Sequence, residues 1–171
     1  RNKLFESYLK VVDIVHPNAI LIENVRGFTS DFSKTSCVKN YSAELAERLS
    51  ADYNVYYQLY NVSEFGVPQS RVRFFLLALR KGMRIGNPFD VVNSKIPSFL
   101  RKNNLRVPVT AKQALSSLEV NKGGTHPSRE TNGFMEICPT SPATSYQKYL
   151  ALEDPAIYDL RLARHSEELC S

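Results

Sequence analysis

The stretch Gln69-Ser70-Arg71-Val72-Arg73-Phe74-Phe75-Leu76-Leu77-Ala78-Leu79 decides the fold of this 171-residue chain. Its end, Phe74 to Leu79, is the longest uninterrupted apolar run, and it predicts a strand that is buried on both faces. Gln69, Arg71 and Arg73 share odd parity, so in an extended chain they project from one face. Arginines that enter a buried strand need partners, such as carboxylates (Glu23 is one candidate), phosphate oxygens or the carbonyl groups of a base. A purely structural arginine–carboxylate network meets the same need.

Helical and strand patterns alternate before this stretch. Apolar residues at helical spacing predict a helix from Leu4 to Val15, which His16-Pro17 ends. Ala19-Ile20-Leu21-Ile22 predicts a short buried parallel strand, and a loop is expected to start at Glu23. A second helix and another strand follow, on Val38, Tyr41, Leu45 and Leu49 and then on Val55, Tyr57 and Leu59. This order is half of an open α/β sheet.

The sequence changes in character after Leu79. Asn, Pro, Gly and Lys become frequent and the periodicity fades, which predicts an irregular second region over residues 80–171 after a first region over 1–79. Thr110 is a candidate N-cap for a short helix through Leu118. Tyr146 to Leu152 is expected to form another turn or two of helix.

Basic residues dominate the start of this second region, with eight Lys and Arg against one acid, Asp90, between Arg80 and Lys112. Such a run is either a solvated face or a surface that contacts phosphates, because Lys and Arg clusters gain affinity by releasing counterions. The candidates for phosphate contact are Arg80, Lys81, Arg84, Arg101, Lys102 and Arg106.

The composition is that of an ordinary soluble globular protein, with 43% hydrophobic and 23% charged residues. No apolar run is long enough for a membrane helix, and no leader follows Arg1, so we expect neither secretion nor membrane association. The three cysteines, Cys37, Cys138 and Cys170, are widely spaced and indicate free thiols in a reducing compartment. Together with scattered histidines they predict no metal site.

Glu23 is the first candidate for chemistry, because it follows a predicted buried strand. Open α/β sheets place their ligand crevice at the carboxyl ends of the strands, where a partly desolvated carboxyl group could hold or exchange a proton. A capping acid, or one paired with a neighbouring arginine, is an equally good interpretation of a lone Glu at this position.

Taken together, two motifs point to a family. Leu21-Ile22-Glu23-Asn24-Val25-Arg26-Gly27-Phe28, followed by the Glu64 to Ala78 stretch with its Gln-x-Arg-x-Arg, resembles the cytosine-5 DNA methyltransferases. The resemblance extends to Arg1–Phe5 and Thr110–Leu115, and more faintly to Tyr146–Leu150 and Arg164-His165-Ser166. It implies that residues 1–79 are the C-terminal half of a Rossmann-like methyltransferase catalytic domain. Residues 80–171 would then be a basic linker and a partial, irregular target-recognition region.

The resemblance also implies a chemistry. In that family a cysteine thiolate adds to carbon 6 of a flipped-out cytosine, and carbon 5 then takes a methyl group from S-adenosylmethionine. Glu23 would supply the proton at ring nitrogen 3, and Arg71 and Arg73 would hold the ring oxygen and shape the pocket. Gln69 would support the loop, and Asn24 would fix the backbone at the end of the strand.

Several parts of the family's pattern do not occur in this sequence. No cysteine follows a proline, so no nucleophile is assigned in the chain, and the glycine-rich cofactor loop with its acidic residue is absent. The family's closing segments are absent too. We therefore expect the central part of an enzyme, without methyl transfer or S-adenosylmethionine binding of its own.

The expected partners are double-stranded DNA and the missing N-terminal and C-terminal parts of the enzyme. An exposed edge strand also makes self-association of the fragment plausible. The expected setting is restriction–modification in a bacterial cytoplasm. Two alternatives remain open: a family member that acts on RNA, and a non-catalytic accessory module that binds DNA through residues 80–112.

Overall fold

The computed structural model of the protein describes residues 3–29, 40–153 and 159–163. The chain divides into two compact units, one of residues 1–62 and 71–97 and the other of residues 63–70 and 98–171. Helix α3 (Pro88–Lys102) contributes to both units. The boundary predicted after residue 79 separates two functional regions and not two compact units, and it stays a prediction.

The first unit begins with five elements in the predicted order of helix, strand, helix, strand, strand. They are α1 (Lys3–Val15), β1 (Ala19–Val25), α2 (Tyr41–Leu49), β2 (Tyr53–Asn61) and β3 (Val72–Arg80). Asn40 caps α2, since its Oδ1 accepts a hydrogen bond from the Ala43 backbone N–H at 2.9 Å. Val38, which was assigned to this helix, lies outside the described residues.

The three strands form one sheet in the order β1-β3-β2, and both outer strands are antiparallel to β3. The prediction that β1 pairs as a parallel strand is therefore wrong within this unit. The prediction that a loop starts at Glu23 is also wrong. Pairing with β3 continues to the Val25–Arg73 pair, so backbone hydrogen bonding carries the strand beyond its apolar part.

The core lies mainly on one face of the sheet, although Tyr57 and Leu59 of β2 are 65% and 42% exposed on that face. Leu9 and Val12 of α1 and Leu45 and Leu49 of α2 pack there with residues of the three strands, namely Ile20, Tyr53, Phe74, Leu76 and Ala78. On the opposite face Phe75 and Leu77 are half-buried and Leu21 is 66% exposed. The expectation that β3 is buried on both faces is thus wrong for Phe75 and Leu77 but holds for Leu79, which is 6% exposed, because α1 and α2 both pack against the other face.

Regular structure continues beyond residue 80, so the prediction of an irregular region is wrong for part of it. Helix α3 has 15 residues and contains Pro97. Phe89, Ile96 and Leu100 recur at helical spacing and are the signal that could have identified it.

The second unit contains α4 (Ala111–Leu115), α5 (Val120–Gly123), β4 (Thr125–Pro127), β5 (Met135–Ile137) and α6 (Ser145–Glu153). A short 3-10 helix continues α4 to Leu118, and β4 and β5 pair as an antiparallel hairpin. The short helix capped by Thr110 and the helix predicted from Tyr146 are confirmed, whereas Arg164-His165-Ser166 lies outside the described residues.

Helices α4 and α6 start with the same capping arrangement. In each helix a threonine hydroxyl accepts the N–H of a glutamine three residues later, and the glutamine side chain accepts the threonine N–H: Thr110 with Gln113, and Thr144 with Gln147. The two caps are joined by the Thr144 hydroxyl, which donates to the Gln113 carbonyl at 2.8 Å. Gln147 Nε2 also donates to the Ala114 carbonyl, at 3.3 Å. The two helix starts therefore form one hydrogen-bonded cluster.

Within the described ranges, no helix combines the length and the apolar character needed to cross a membrane.

Candidate functional site

Glu23 and Arg73 form an ion pair on the less buried face of the sheet. In the antiparallel register Glu23 lies opposite Phe75 and Arg73 lies opposite Val25, so the two charged residues are diagonal neighbours on one face. Arg73 Nε and Glu23 Oε1 are 2.9 Å apart. The Arg73 side chain is 14% exposed and the Glu23 side chain 52%, so the carboxylate remains open to solvent. The structure thus brings these two predicted site residues together.

Arg73 is held on its other sides by the strands. Its Nη1 donates to the carbonyl of Val72 at 3.0 Å, and its partner in the register on β2 is Tyr60. The Tyr60 ring lies 5.9 Å from Phe89 of α3, and its hydroxyl donates to Asn93 Oδ1 at 2.8 Å. The first turns of α3 therefore cover this face beside β2 but leave it open beside β1.

These aromatic neighbours of Arg73 were missed in the sequence. The even-numbered residues of β2 share a face with Arg73. The strand was predicted from the odd-numbered residues Val55, Tyr57 and Leu59, which lie on the face that packs against α1 and α2. The even-numbered residues of the same segment include Tyr60, so the alternation could have identified it.

Asn24 lies on the other face and binds the backbone where β1 ends. Its Oδ1 accepts a hydrogen bond from the Val25 N–H at 2.9 Å. A 3-10 turn follows, Arg26–Thr29, in which the Phe28 ring stacks on Tyr41 with centroids 5.9 Å apart. The side chain of Asn24 thus occupies the backbone-fixing position that was predicted for it, and its role in function stays a prediction.

Gln69 and Arg71 do not share a strand with Arg73, because β3 begins at Val72. Arg71 is exposed, and its backbone N–H donates to Asn61 Oδ1 at 3.1 Å. Gln69 is exposed in the preceding turn, where its N–H donates to the Val67 carbonyl at 2.8 Å. Gln69 also belongs to the second compact unit, whereas Arg71 and Arg73 belong to the first. The predicted row of three side chains on one strand face is therefore wrong.

Arg80 and Lys81 lie at the opposite end of β3 from Arg73, about 23 Å away at a strand rise of about 3.3 Å per residue. Their side chains donate to backbone carbonyls, that of Arg80 to His16 and that of Lys81 to Ala51 at 2.8 Å. These contacts join the end of β3 to the segments before β1 and before β2. This geometry supports a structural role for both cations.

The other phosphate-contact candidates are exposed. Arg84 follows β3 in the first unit. Arg101 and Lys102 form the last turn of α3, and Arg106 follows them in the second unit. Their side chains are accessible to a polyanion.

The described part of the chain contains no candidate site for a catalytic cysteine or for a metal ion. Cys138 is a free, half-buried thiol, while Cys37 and Cys170 lie outside the described residues. Within the same limits, no three His, Cys, Asp or Glu side chains come together as metal ligands.

A cleft of about 510 Å³ lies on the face of the sheet that packs against α1 and α2, between the start of α2 and β2. Asn40, Tyr57, Leu59 and Phe74 are among its lining residues, and neither Glu23 nor Arg73 is. It is separate from the ion pair, which lies on the other face of the sheet.

Comparison with known proteins gives a consistent result. The family model described as C-5 cytosine-specific DNA methylase matches residues 1–156. The Type II methyltransferase M.FnuDI of Fusobacterium nucleatum is 38% identical over 87 residues, which are 51% of this chain and 24% of that protein. The Type II methyltransferase M.DdeI of Desulfomicrobium norvegicum is 27% identical over 175 residues, 99% of this chain and 37% of that protein.

A third relative matches more than half of the chain. The DNA (cytosine-5)-methyltransferase PliMCI of Paracentrotus lividus is 33% identical over 100 residues, 56% of this chain and 6% of that protein. The chain spans between 24% and 37% of the length of the two Type II enzymes compared above. With a family model matched over residues 1–156, the chain belongs to the C-5 cytosine-specific DNA methylase family.

Proposed function

We propose that this chain supplies the base-binding wall and part of the DNA-binding surface of a DNA (cytosine-5)-methyltransferase. The enzyme would transfer a methyl group to carbon 5 of a cytosine flipped out of duplex DNA, in a bacterial restriction–modification system of the cytoplasm. The observation that carries the proposal is the Glu23–Arg73 ion pair on the open face of the sheet.

Glu23 is the proton carrier in this proposal: its solvent-exposed carboxyl group takes up a proton from water and then gives it to the ring. Carbon 5 of cytosine becomes nucleophilic only after a nucleophile adds at carbon 6, and the addition pushes negative charge into the ring. A proton delivered to ring nitrogen 3 neutralises that charge. Oε1 of Glu23 meets Arg73, so we assign Oε2 to the ring.

The neighbouring side chains orient the base. Arg73 is anchored by Glu23 and the Val72 carbonyl, which fixes its guanidinium for a hydrogen bond to the ring oxygen. Arg71, exposed just before β3, would shape the pocket, and Gln69 would support the adjoining turn. Asn24 would keep the end of β1 in place.

In this proposal the chain supplies neither the nucleophile nor the site for the methyl donor. Its sequence has no Pro-Cys pair, and its one Gly-Gly pair, Gly123-Gly124, is not a cofactor loop. A Cβ on Gly123 would collide with the carbonyl oxygen of Cys138, so this glycine serves a close packing of two backbones. The residues present therefore do not fit S-adenosylmethionine, which supplies the methyl group in the family, and we assign that site to residues outside this chain.

DNA is preferred to RNA as the substrate because the relatives compared above are named as Type II or DNA methyltransferases. Arg84, Arg101, Lys102 and Arg106 are the candidates for phosphate contact. Each phosphate neutralised should make the slope of log affinity against log salt more negative by about 0.9.

Two assays test the proposal. The isolated chain, incubated with radiolabelled S-adenosylmethionine and a cytosine-containing duplex, should transfer no label above background. Transfer by the chain alone would contradict a nucleophile and donor site located elsewhere.

The second assay uses a hybrid in which this chain replaces the aligned stretch of M.DdeI, and the hybrid should methylate cytosine. A hybrid that binds both DNA and donor but transfers nothing would contradict the pocket assignment.

A further inference from the structure

Tyr60 of β2 closes one side of Arg73. The two residues are partners in the β2–β3 register, so their side chains are direct neighbours on one face of the sheet. Tyr60 is 6% exposed, and a buried ring of this size fills the space beside Arg73 on the β2 side. The opposite direction, toward β1, leads to Glu23, whose Oε1 lies 2.9 Å from Arg73 Nε. Tyr60 therefore favours the arrangement in which the ion pair forms.

The Tyr60 side chain is itself held by three contacts. Its ring centroid lies 5.9 Å from that of Phe75 on β3 and 5.9 Å from that of Phe89 on α3. Its hydroxyl donates to Asn93 Oδ1 at 2.8 Å, about one helical turn beyond Phe89. The ring is thus fixed by packing and the hydroxyl by a hydrogen bond, and both hold the side chain next to Arg73.

Packing alone does not require a tyrosine at this position. A phenylalanine would fill nearly the same volume against Phe75 and Phe89, whereas the hydroxyl of Tyr60 adds the hydrogen bond to Asn93. That bond joins β2 to the first turns of α3, which cover the sheet beside β2 and leave it open beside β1. The hydroxyl therefore fixes the wall on the covered side of Arg73, opposite the side on which a base would enter.

We propose that Tyr60, held by Asn93, is a positioning residue for methyl transfer: it keeps the Arg73 guanidinium directed at Glu23 and at the ring oxygen of the target base. This rests on the proposed function, because it presupposes that Arg73 and Glu23 line the base pocket. Tyr60 touches neither the base nor the methyl donor and acts through Arg73. A rotation of the guanidinium would weaken its hydrogen bond to the ring oxygen, since such bonds depend steeply on angle.

The first test is the exchange of the Arg73 Nε–H with solvent, measured by NMR spectroscopy on the full chain without DNA. Tyr60→Phe keeps the ring and removes the hydroxyl, and Asn93→Ala removes its acceptor. Each change should speed the exchange by about 2- to 10-fold, the equivalent of one hydrogen bond. The double variant should do no more than either single one, because both break the same bond. Glu23→Gln, which removes the charge at the acceptor, should give the largest acceleration.

Tyr53→Phe is the matched control. Tyr53 is also a buried tyrosine of β2, 5% exposed, and its hydroxyl also donates one hydrogen bond, to the Pro17 carbonyl at 2.9 Å. It lies at the other end of the strand and packs in the core on the other face of the sheet. Tyr53→Phe should therefore cost similar stability and leave the exchange of the Arg73 Nε–H unchanged.

The second test is single-turnover methyl transfer by the hybrid with M.DdeI. Tyr60→Phe should lower the rate by about 2- to 10-fold. The affinity for DNA should stay the same, because contacts to phosphates dominate it. Tyr53→Phe should keep the full rate, so a loss in the Tyr60 variant alone would separate positioning of Arg73 from general stability.

The inference is overturned if Tyr60→Phe leaves the exchange of the Arg73 Nε–H unchanged, or if Tyr53→Phe speeds it equally. An active hybrid whose rate does not respond to Tyr60→Phe overturns it as well and leaves the proposed function in place. A wild-type hybrid that binds DNA and donor without transfer contradicts the proposed function instead, and the exchange rates then still decide whether Tyr60 positions Arg73.

Discussion

The two faces of the three-stranded sheet are built from the same strands but differ in their partners. On one face Phe74 and Leu76 are 1% and 0% exposed beneath α1 and α2, and the contacts there are apolar. On the other face Arg73 pairs with a half-exposed Glu23, and Leu21 is 66% exposed. One face therefore carries most of the core, while the other leaves a charged pair accessible to solvent.

Replacement of Glu23 gives the largest expected effect. In the hybrid with M.DdeI, Glu23→Gln should lower the methylation rate by about 10²- to 10⁴-fold, because the amide cannot deliver a proton to the ring. Single-turnover transfer of labelled methyl groups measures this loss. Glu44→Gln, at an exposed acid of α2, is the matched control and should keep the full rate. Equal rates for the two variants would place the chemistry elsewhere.

A pair of leucines on β3 tests the difference between the faces directly. Leu76→Ala should lower the free energy of unfolding by about 2–5 kcal/mol, because it leaves a cavity in the core. Leu77→Ala removes the same atoms from the less buried face and should cost about 1 kcal/mol. Urea denaturation of the isolated chain measures both values. A Leu77 variant as unstable as the Leu76 variant would mean that both faces are equally packed.

A smaller effect on stability is expected at Lys81, at the C-terminal end of β3. Lys81→Met should lower the free energy of unfolding by about 0.5–1 kcal/mol, since an exposed charged hydrogen bond to the Ala51 carbonyl is lost. The salt slope of DNA binding should not change. Lys10→Met, at an exposed position of α1, should be neutral in both measurements. A lower salt slope for the Lys81 variant would restore this residue to the phosphate-binding set.

The smallest expected effect is at Leu21. Leu21→Thr should change the free energy of unfolding of the isolated chain by no more than about 0.5 kcal/mol, because the side chain is already mostly in water. Thermal denaturation followed by circular dichroism measures it. A loss above 1 kcal/mol would show that another surface packs on this face.

Much of the first unit could be predicted from the sequence, because its helices and strands differ clearly in apolar period. The face of β3 that lies in the core could not be predicted: in an unbroken apolar run from Phe74 to Leu79, neither parity stands out. Helix α3 was missed because Asn, Pro, Gly and Lys are frequent after Leu79, which obscured the helical spacing of Phe89 and Ile96.

The candidate site was predictable in part. A carboxylate such as Glu23 was an expected partner for a strand arginine, and the ion pair with Arg73 has that form. Strand β3 starts at Val72, where it pairs with Asn61 of β2, and Arg71 is left outside the strand. The local sequence contains no signal for this start, because it depends on a residue of another strand. The partners of Arg80 and Lys81 are main-chain carbonyls, which carry no sequence signal at all.

The joined caps of α4 and α6 have a consequence for how the second unit opens. At 5 and 9 residues, both helices are shorter than the roughly 12–15 residues that an isolated helix needs in water. Neither start can fray without breaking the bonds of Thr144 and Gln147 to the other helix. We therefore expect the amide hydrogens of Gln113 and Gln147 to exchange with solvent through one shared opening, with the two segments acting as a single cooperative unit, although 31 residues separate Gln113 from Thr144 in the chain.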